Sequence, residues 1–288
     1  MTNINFAFFG TDEFSVATLN ELKDASYLPS LIVCAPDRPK GRGLLLTPPP
    51  AKVWAEENKV RFLQPEKLDS NFISELNRDS SPYKLFVVSS YGKIIPQSVL
   101  DIPELGTLNV HPSLLPKYRG ASPIESQILN DESNVGVSII LLDSEMDHGP
   151  ILASKTLEIN NLEERKYSLL SKKLASTGGK LLADLINDLV EGKVEKKEQD
   201  HSSATFTKKI QKSDGEIKLE DNAKTNYLKF LAYDVWPETY CLMSKNDNQI
   251  RVKIKEAILE NDTFVIKTVI PEGGKLMSFD DFERGLQG

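Results

Sequence analysis

Short apolar runs along the first half of the chain constrain the fold most. INFAFFG (4–10), SLIVCA (30–35), KLFVVSSYG (84–92), TLNVH (107–111) and VGVSIILLD (135–143) lack a helical period and end at turn residues or charges. Each reads as a buried strand. Between them lie segments with helical spacing, DEFSVATLNELKD with Asp12 as its N-cap and AKVWAEEN at 51–58. Buried strands alternating with helices specify an α/β domain on a mostly parallel sheet covered on both faces. Ligands of such sheets gather at the carboxyl ends of the strands. Asn109, His111 and the acids from Asp143 to Asp147 are expected at such ends.

The pattern then changes. Residues 163–193 carry one long amphipathic helical pattern that resumes directly after Gly178-Gly179. VEKKEQDHSSAT (194–205) is polar and reads as a linker. KTNYLKFLAY (224–233) is a short helix, and ETYCLMS, QIRVKIKEAIL and TFVIKTVI alternate as antiparallel strands do. The expected organisation is a first domain over 1–193, a linker over 194–205, and a small β-barrel-like domain over 206–288.

Of the 288 residues 40% are hydrophobic and 27% charged, the balance of a soluble globular protein. No apolar run approaches the roughly 20 residues that span a bilayer. The N-terminus has no basic region before its first strand, so no signal peptide is expected. Cys34 and Cys241, far apart in sequence, suit a reducing cytosol. The net charge of −7 excludes a uniformly basic surface but leaves room for a local cluster that meets phosphate.

The segment GTLNVHPSLLPKYRGASPIE (106–125) concentrates the chemistry. Asn109 and His111 are two apart on a strand and share a face. Pro112 restricts the backbone of His111. Ser122, Pro123 and Glu125 read as N-cap, N1 and N3 of a helix with a capping box. Spacing alone leaves two readings open: a stiff connection with a hydrogen-bonded histidine, or donors held still for catalysis. LLDSEMDHGPI (141–151) adds Asp143, Glu145 and Asp147. Any of these could orient a histidine, or be an ordinary turn acid in water.

NVHPSLLPKYRGASPI resembles the signature of the folate-dependent formyltransferases, and MDHGPI falls where that family carries its Asp-x-Gly turn. The resemblance implies a Rossmann-like first domain, an OB-like C-terminal domain, 10-formyltetrahydrofolate as co-substrate and no metal. It makes Asn109, His111 and Asp147 the catalytic trio. VVSSYGKIIP (87–96) resembles the segment lining the folate pocket, so Ser89, Tyr91, Gly92 and Ile94 are expected there. Ser113, Leu114, Leu115, Pro116, Tyr118, Arg119, Gly120 and Asp143 are expected to line it too. APDRPKGRGLLLTPPPAKVWAEE (35–57) resembles the insertion loop of the members that act on initiator methionyl-tRNA. Arg38, Lys40 and Arg42 would meet the acceptor arm there, with Lys208 and Lys209 also contacting tRNA. Lys212, Arg251, Lys253 and Lys255 could extend that basic face. No obligate protein partner or membrane is implied, and a cytoplasmic monomer is expected.

His148 stands where the family more often has threonine and reads as a solvent-facing turn residue; His201 reads as a surface residue of the linker. One glycine after the first strand is weak evidence for a dinucleotide site, and no phosphate-binding Gly-x-x-x-x-Gly-Lys motif is present. A zinc site from His111, His148 and an acid matches no standard spacing. Nothing marks Cys34 as an activated nucleophile. The competing functions are an amino-sugar-nucleotide N-formyltransferase with the same folate donor, a hydrolase releasing formate, and a non-catalytic RNA-binding protein.

Overall fold

In the computed structural model, which describes residues 4–41, 43–78, 81–245 and 248–287, the early apolar runs become the centre of a seven-stranded sheet. The strands are β1 (Phe6–Gly10), β2 (Leu31–Val33), β3 (Arg61–Leu63), β4 (Leu85–Ser89), β5 (Thr107–His111), β6 (Val135–Leu141) and β7 (Ile151–Leu157). Their order is β7-β6-β5-β4-β1-β2-β3. The first five run parallel to their neighbours, while β6 is antiparallel to β5 and β7 to β6. All residues of β1, β2 and β4 are buried, which is why these strands show no alternation. The edge strand β3, only Arg61-Phe62-Leu63, is half-buried and too short to announce itself as an apolar run.

Aromatic packing holds one face. Phe9 lies 5.1 Å from Phe86 and 5.5 Å from Tyr91 between ring centroids. The helix Glu13–Asp24 starts at Asp12, whose carboxylate accepts from the Phe14 and Ser15 amides. The helix Tyr167–Val190 runs unbroken through Gly178-Gly179. A Cβ on Gly178 would lie 2.4 Å from Val110, and one on Gly179 would lie 2.7 Å from the Glu21 side chain. Close approach of this helix to β5 and to the first helix therefore requires the pair, and offsets a propensity cost of about 1 kcal/mol per glycine.

This sheet and its helices form one unit, built from Met1–Ala121, Asn134–Leu157 and Ser171–Phe206. A second unit comprises Ser122–Ser133, Glu158–Leu170 and Thr207–Gly288. Its antiparallel sheet joins β8 (Tyr240–Lys245), β9 (Asn248–Glu260), β10 (Thr263–Pro271) and β11 (Met277–Ser278) in that order. Ile217, Cys241, Val252, Ile254, Ile266, Val269 and Phe282 form its core.

The capping box at 122–125 does not form. Ser122 makes no side-chain cap; its hydroxyl donates to the Lys208 carbonyl and its amide to Thr207 Oγ1 at 3.1 Å. Glu125 is desolvated, which pushes its carboxyl up to about 7. Among the described residues no helix is long and apolar enough to cross a membrane.

Candidate active site

Asn109 and His111 lie at the end of β5, where Asn109 pairs in register with Val88 of β4. Asp147 reaches them by a route that strand order alone does not provide. Because β6 is antiparallel, Leu141 at its carboxyl end pairs with Leu108 near the start of β5. Asp143 to Asp147 do follow the carboxyl end of a strand, as expected, but because β6 is antiparallel that end lies beside the start of β5. The turn after β6 brings Asp147 back instead.

Asp147 is the hub. Its Oδ1 accepts from Asn109 Nδ2 at 3.2 Å and lies 3.5 Å from His111 Nδ1; its Oδ2 accepts from the Gly120 amide at 2.8 Å. Its backbone is left-handed, with φ of 49°, a region where Asp is among the less disfavoured residues. His111 is 3% exposed, and its Nε2 lies 3.0 Å from the Tyr118 carbonyl. A carbonyl only accepts, so Nε2 carries a proton. With a carboxylate at Nδ1, both ring nitrogens face oxygen acceptors, the arrangement an imidazolium satisfies.

The loop over 113–120 is held by bonds from distant strands and segments. Ser138 of β6 donates its hydroxyl to the Ser113 carbonyl at 2.8 Å and accepts the Leu115 amide at 3.1 Å. Thr205 accepts the Tyr118 amide at its hydroxyl (2.8 Å) and the Arg119 amide at its carbonyl (2.8 Å). Tyr118 and Gly120 both have positive φ.

A second network holds the Asp147 turn. Gln199 Nε2 donates to the carbonyls of Asp147 (2.9 Å), His148 (3.1 Å) and Gly149 (2.7 Å). Its Oε1 accepts from Arg119 at Nε (3.2 Å) and Nη2 (2.7 Å). Arg119 Nη2 also donates to His201 Nδ1 at 2.9 Å. His201 stacks on His148 with centroids 4.0 Å apart and rings within 3° of parallel. His148 Nδ1 lies 2.7 Å from Asp143 Oδ2. His148 is therefore a half-buried member of this network, not a free turn residue, and His201, though exposed, has fixed partners. Lys197 pairs with Ile151 through backbone bonds of 2.8 and 2.9 Å, so part of the expected linker is built into the first unit. Gln199 and His201 were not legible as site residues: a lone Gln and His in a polar stretch carry no pattern.

Gly149 closes the turn. A Cβ there would sit 1.8 Å from the Leu141 carbonyl oxygen. Gly149→Ala is expected to destabilise the protein by roughly 1–3 kcal/mol, as overpacking does, read as a lower midpoint in denaturant. An unchanged midpoint would show that the turn relocates freely.

The other expected site residues divide. Ser89 is buried, its hydroxyl 3.0 Å from Thr18 Oγ1. Tyr91 packs its ring in the core, and burial pushes its phenol up to about 12. Gly92 and Ile94 are open, Ile94 at 89% exposure. Ser113 and Leu115 are buried; Leu114, Pro116 and Tyr118 line a cavity of about 340 Å³ with Lys117, Asn134 and Thr156. Arg119 and Asp143 are committed to the networks above. Burial pushes the Cys34 thiol up to about 12, away from reactivity. Among the described residues no cluster of three His, Cys, Asp or Glu could hold a metal ion.

Arg38 and Lys40 lie exposed on a hairpin, where 38–40 pairs with 45–47, beside exposed Leu44, Leu45 and Leu46. Arg42 lies outside the described residues. In the second unit Lys208, Lys209 and Lys212 are exposed. Lys253 and Lys255 are both bonded to Glu238, and Arg251 lies over the Tyr240 ring at 3.5 Å.

The formyl transferase family model matches residues 2–186. The methionyl-tRNA formyltransferase of Chloroflexus aurantiacus is 39% identical over 268 residues, covering 93% of this chain and 84% of its own. The chain thus belongs to the formyl transferase family. The methionyl-tRNA formyltransferases of Sulfurihydrogenibium sp. and Thermotoga maritima are 36% and 38% identical, over 85% and 81% of this chain and 78% and 74% of their own. Among solved structures, the methionyl-tRNA formyltransferase from Clostridium thermocellum shares the fold at TM-score 0.59 and 16% identity, over 96% of this chain and 99% of that one. An N-formyltransferase from Helicobacter canadensis, solved with folinic acid and dTDP-3-aminofucose, shares it at 0.59 and 17%, over 89% of each chain.

Proposed function

We propose that Asn109, His111 and Asp147 transfer the formyl group of 10-formyltetrahydrofolate to the α-amino group of methionine on initiator tRNA, giving N-formylmethionyl-tRNA for translation initiation. The observation that carries the site assignment is the Asp147 carboxylate, bonded to Asn109 and the Gly120 amide and facing His111.

The attacking amine must be neutral. A free α-amino group has a pKa of roughly 7.7–8, so its deprotonation is modest work. The larger demand is negative charge developing on the formyl oxygen. Asn109 spends one amide hydrogen on Asp147; the other is available as a direct donor to that oxygen. His111, with its nitrogens held by Asp147 and the Tyr118 carbonyl, serves as a fixed positive charge beside it. Asp147 faces the imidazole and takes the amine proton through water; the proton passes to N10 of the folate as the bond from N10 to the formyl carbon breaks and tetrahydrofolate leaves.

The folate supplies the formyl group. The residues fit it at the end of β4, where Gly92 has positive φ with open space beyond it and Ile94 is bare. That segment follows the strand directly beside Asn109. The acceptor is read by Arg38 and Lys40, whose hairpin supplies local positive charge in an acidic protein. Lys208 and Lys209 belong to residues 206–288, a part we also assign to tRNA contact. Residues 1–193 carry the chemistry, and 194–205 connects the two while contributing Gln199. The reading includes a monomer acting in the cytoplasm.

The decisive assay supplies 10-formyltetrahydrofolate with charged initiator tRNA, with an amino-sugar nucleotide, or alone. Formylated methionyl-tRNA is expected. A formylated sugar nucleotide, or formate without acceptor, would replace this reading. Arg38→Ala and Lys40→Ala are each expected to weaken tRNA use and lower the salt dependence of KM for tRNA by about one phosphate contact. An unaltered salt slope in both variants would remove the hairpin from the interface.

A further inference from the structure

We infer that Gln199 is a positioning residue for the formyl transfer, acting through Asp147. The inference rests on the assignment of Asp147 above.

The argument begins with the backbone. Asp147 holds a left-handed conformation that most side chains avoid, with φ of 49°. Such a residue keeps its place only where the surroundings over-determine it. Its own side chain is one restraint. The other is Gln199, whose single amide nitrogen faces three consecutive carbonyls, those of Asp147, His148 and Gly149, at 2.7–3.1 Å. A turn whose carbonyls converge on one point needs a donor there, because carbonyl dipoles so aimed repel one another and are costly to leave unpaired when buried. Gln199 is 6% exposed, so water does not readily replace it.

The amide orientation is enforced. Oε1 accepts two bonds from the Arg119 guanidinium, which only donates. A flipped amide would set NH₂ against the guanidinium and oxygen against three carbonyls. Arg119 is the residue before Gly120, whose amide binds Asp147 Oδ2. One side chain thus ties the loop carrying a donor to Asp147 to the turn carrying Asp147 itself. This also accounts for an arginine 3% exposed inside the family signature segment.

The test separates the two halves of Gln199. Gln199→Met keeps the length of the side chain and removes the donor and the acceptor. Gln199→Glu keeps an acceptor for Arg119 and removes the donors to the turn. Both are expected to lower kcat roughly 10- to 100-fold, since misplacing a catalytic group by about 1 Å costs up to about 10². KM for folate and for tRNA should stay within about twofold. In an Asp147→Asn background, Gln199→Met should add less than about twofold, because residues acting as a unit are not additive. The Gly120 amide proton should exchange faster in Gln199→Met than in the wild type. If Gln199→Met does not fold, the isosteric Gln199→Glu carries the same measurements.

Near-normal kcat for Gln199→Glu would show that Gln199 serves only Arg119, and would overturn the inference. So would a loss of rate that adds fully to Asp147→Asn. A normal Gln199→Met enzyme beside an inactive Asp147→Asn enzyme overturns this inference alone. A near-normal Asp147→Asn enzyme overturns the catalytic assignment itself.

Discussion

Asp147→Asn and His111→Ala are each expected to lower kcat by roughly 10²- to 10⁴-fold, the span typical of a lost acid–base group, while the protein stays folded. The asparagine case is the more informative. Asn is nearly isosteric and can still accept the Gly120 amide with its oxygen. Its NH₂ then faces the Asn109 amide and His111 Nδ1, which now lie 3.2 and 3.5 Å from Asp147 Oδ1. Donor then meets donor at Asn109, and His111 Nδ1 loses its carboxylate acceptor. His111→Ala removes the imidazole outright and leaves Asp147 bonded to Asn109 and Gly120. Formylation of charged initiator tRNA under saturating folate measures both effects, and circular dichroism checks the fold. Turnover near that of the wild type in either variant would remove these residues from the chemistry.

Asn109→Ala is expected to lower kcat by about 10²- to 10³-fold, the cost of one lost oxyanion donor. Asn109 is half-buried on β5, and Asp147 fixes its amide in place. A donor held in this way costs little reorganisation when charge develops. On the proposed role, in which it acts mainly in the transition state, KM for the folate should move far less than kcat. A raised KM with unchanged kcat would make Asn109 a binding residue instead. Asn109→Asp should do worse than alanine, since it sets a second carboxylate against Asp147.

Much of the local structure around these residues is legible in the sequence. The strand TLNVH ends at His111 as its apolar run indicated, and period two puts Asn109 on the same face. Asp12 caps its helix as a short polar residue before an apolar stripe should. The pairing of Asp147 with Asn109 and His111 came from family resemblance; spacing left it among several turn acids. The stiffness of the loop after His111 was also anticipated, for a partly wrong reason. Its prolines were legible, but the capping box does not form, and Ser138 and Thr205 do the holding.

What the sequence by itself determined is what local chemistry encodes: buried strands, helix starts, and which residues share a face. These depend on neighbours within a few positions, so they leave a period or a motif. What only the tertiary structure decided depends on groups far apart in the chain. The antiparallel turn of β6, the fit of Gly178 against Val110, and Gln199 binding Arg119 80 residues away are of this kind. A hydrogen bond across such a distance constrains two side chains and nothing between them. It becomes visible only when the sheet has brought its ends together.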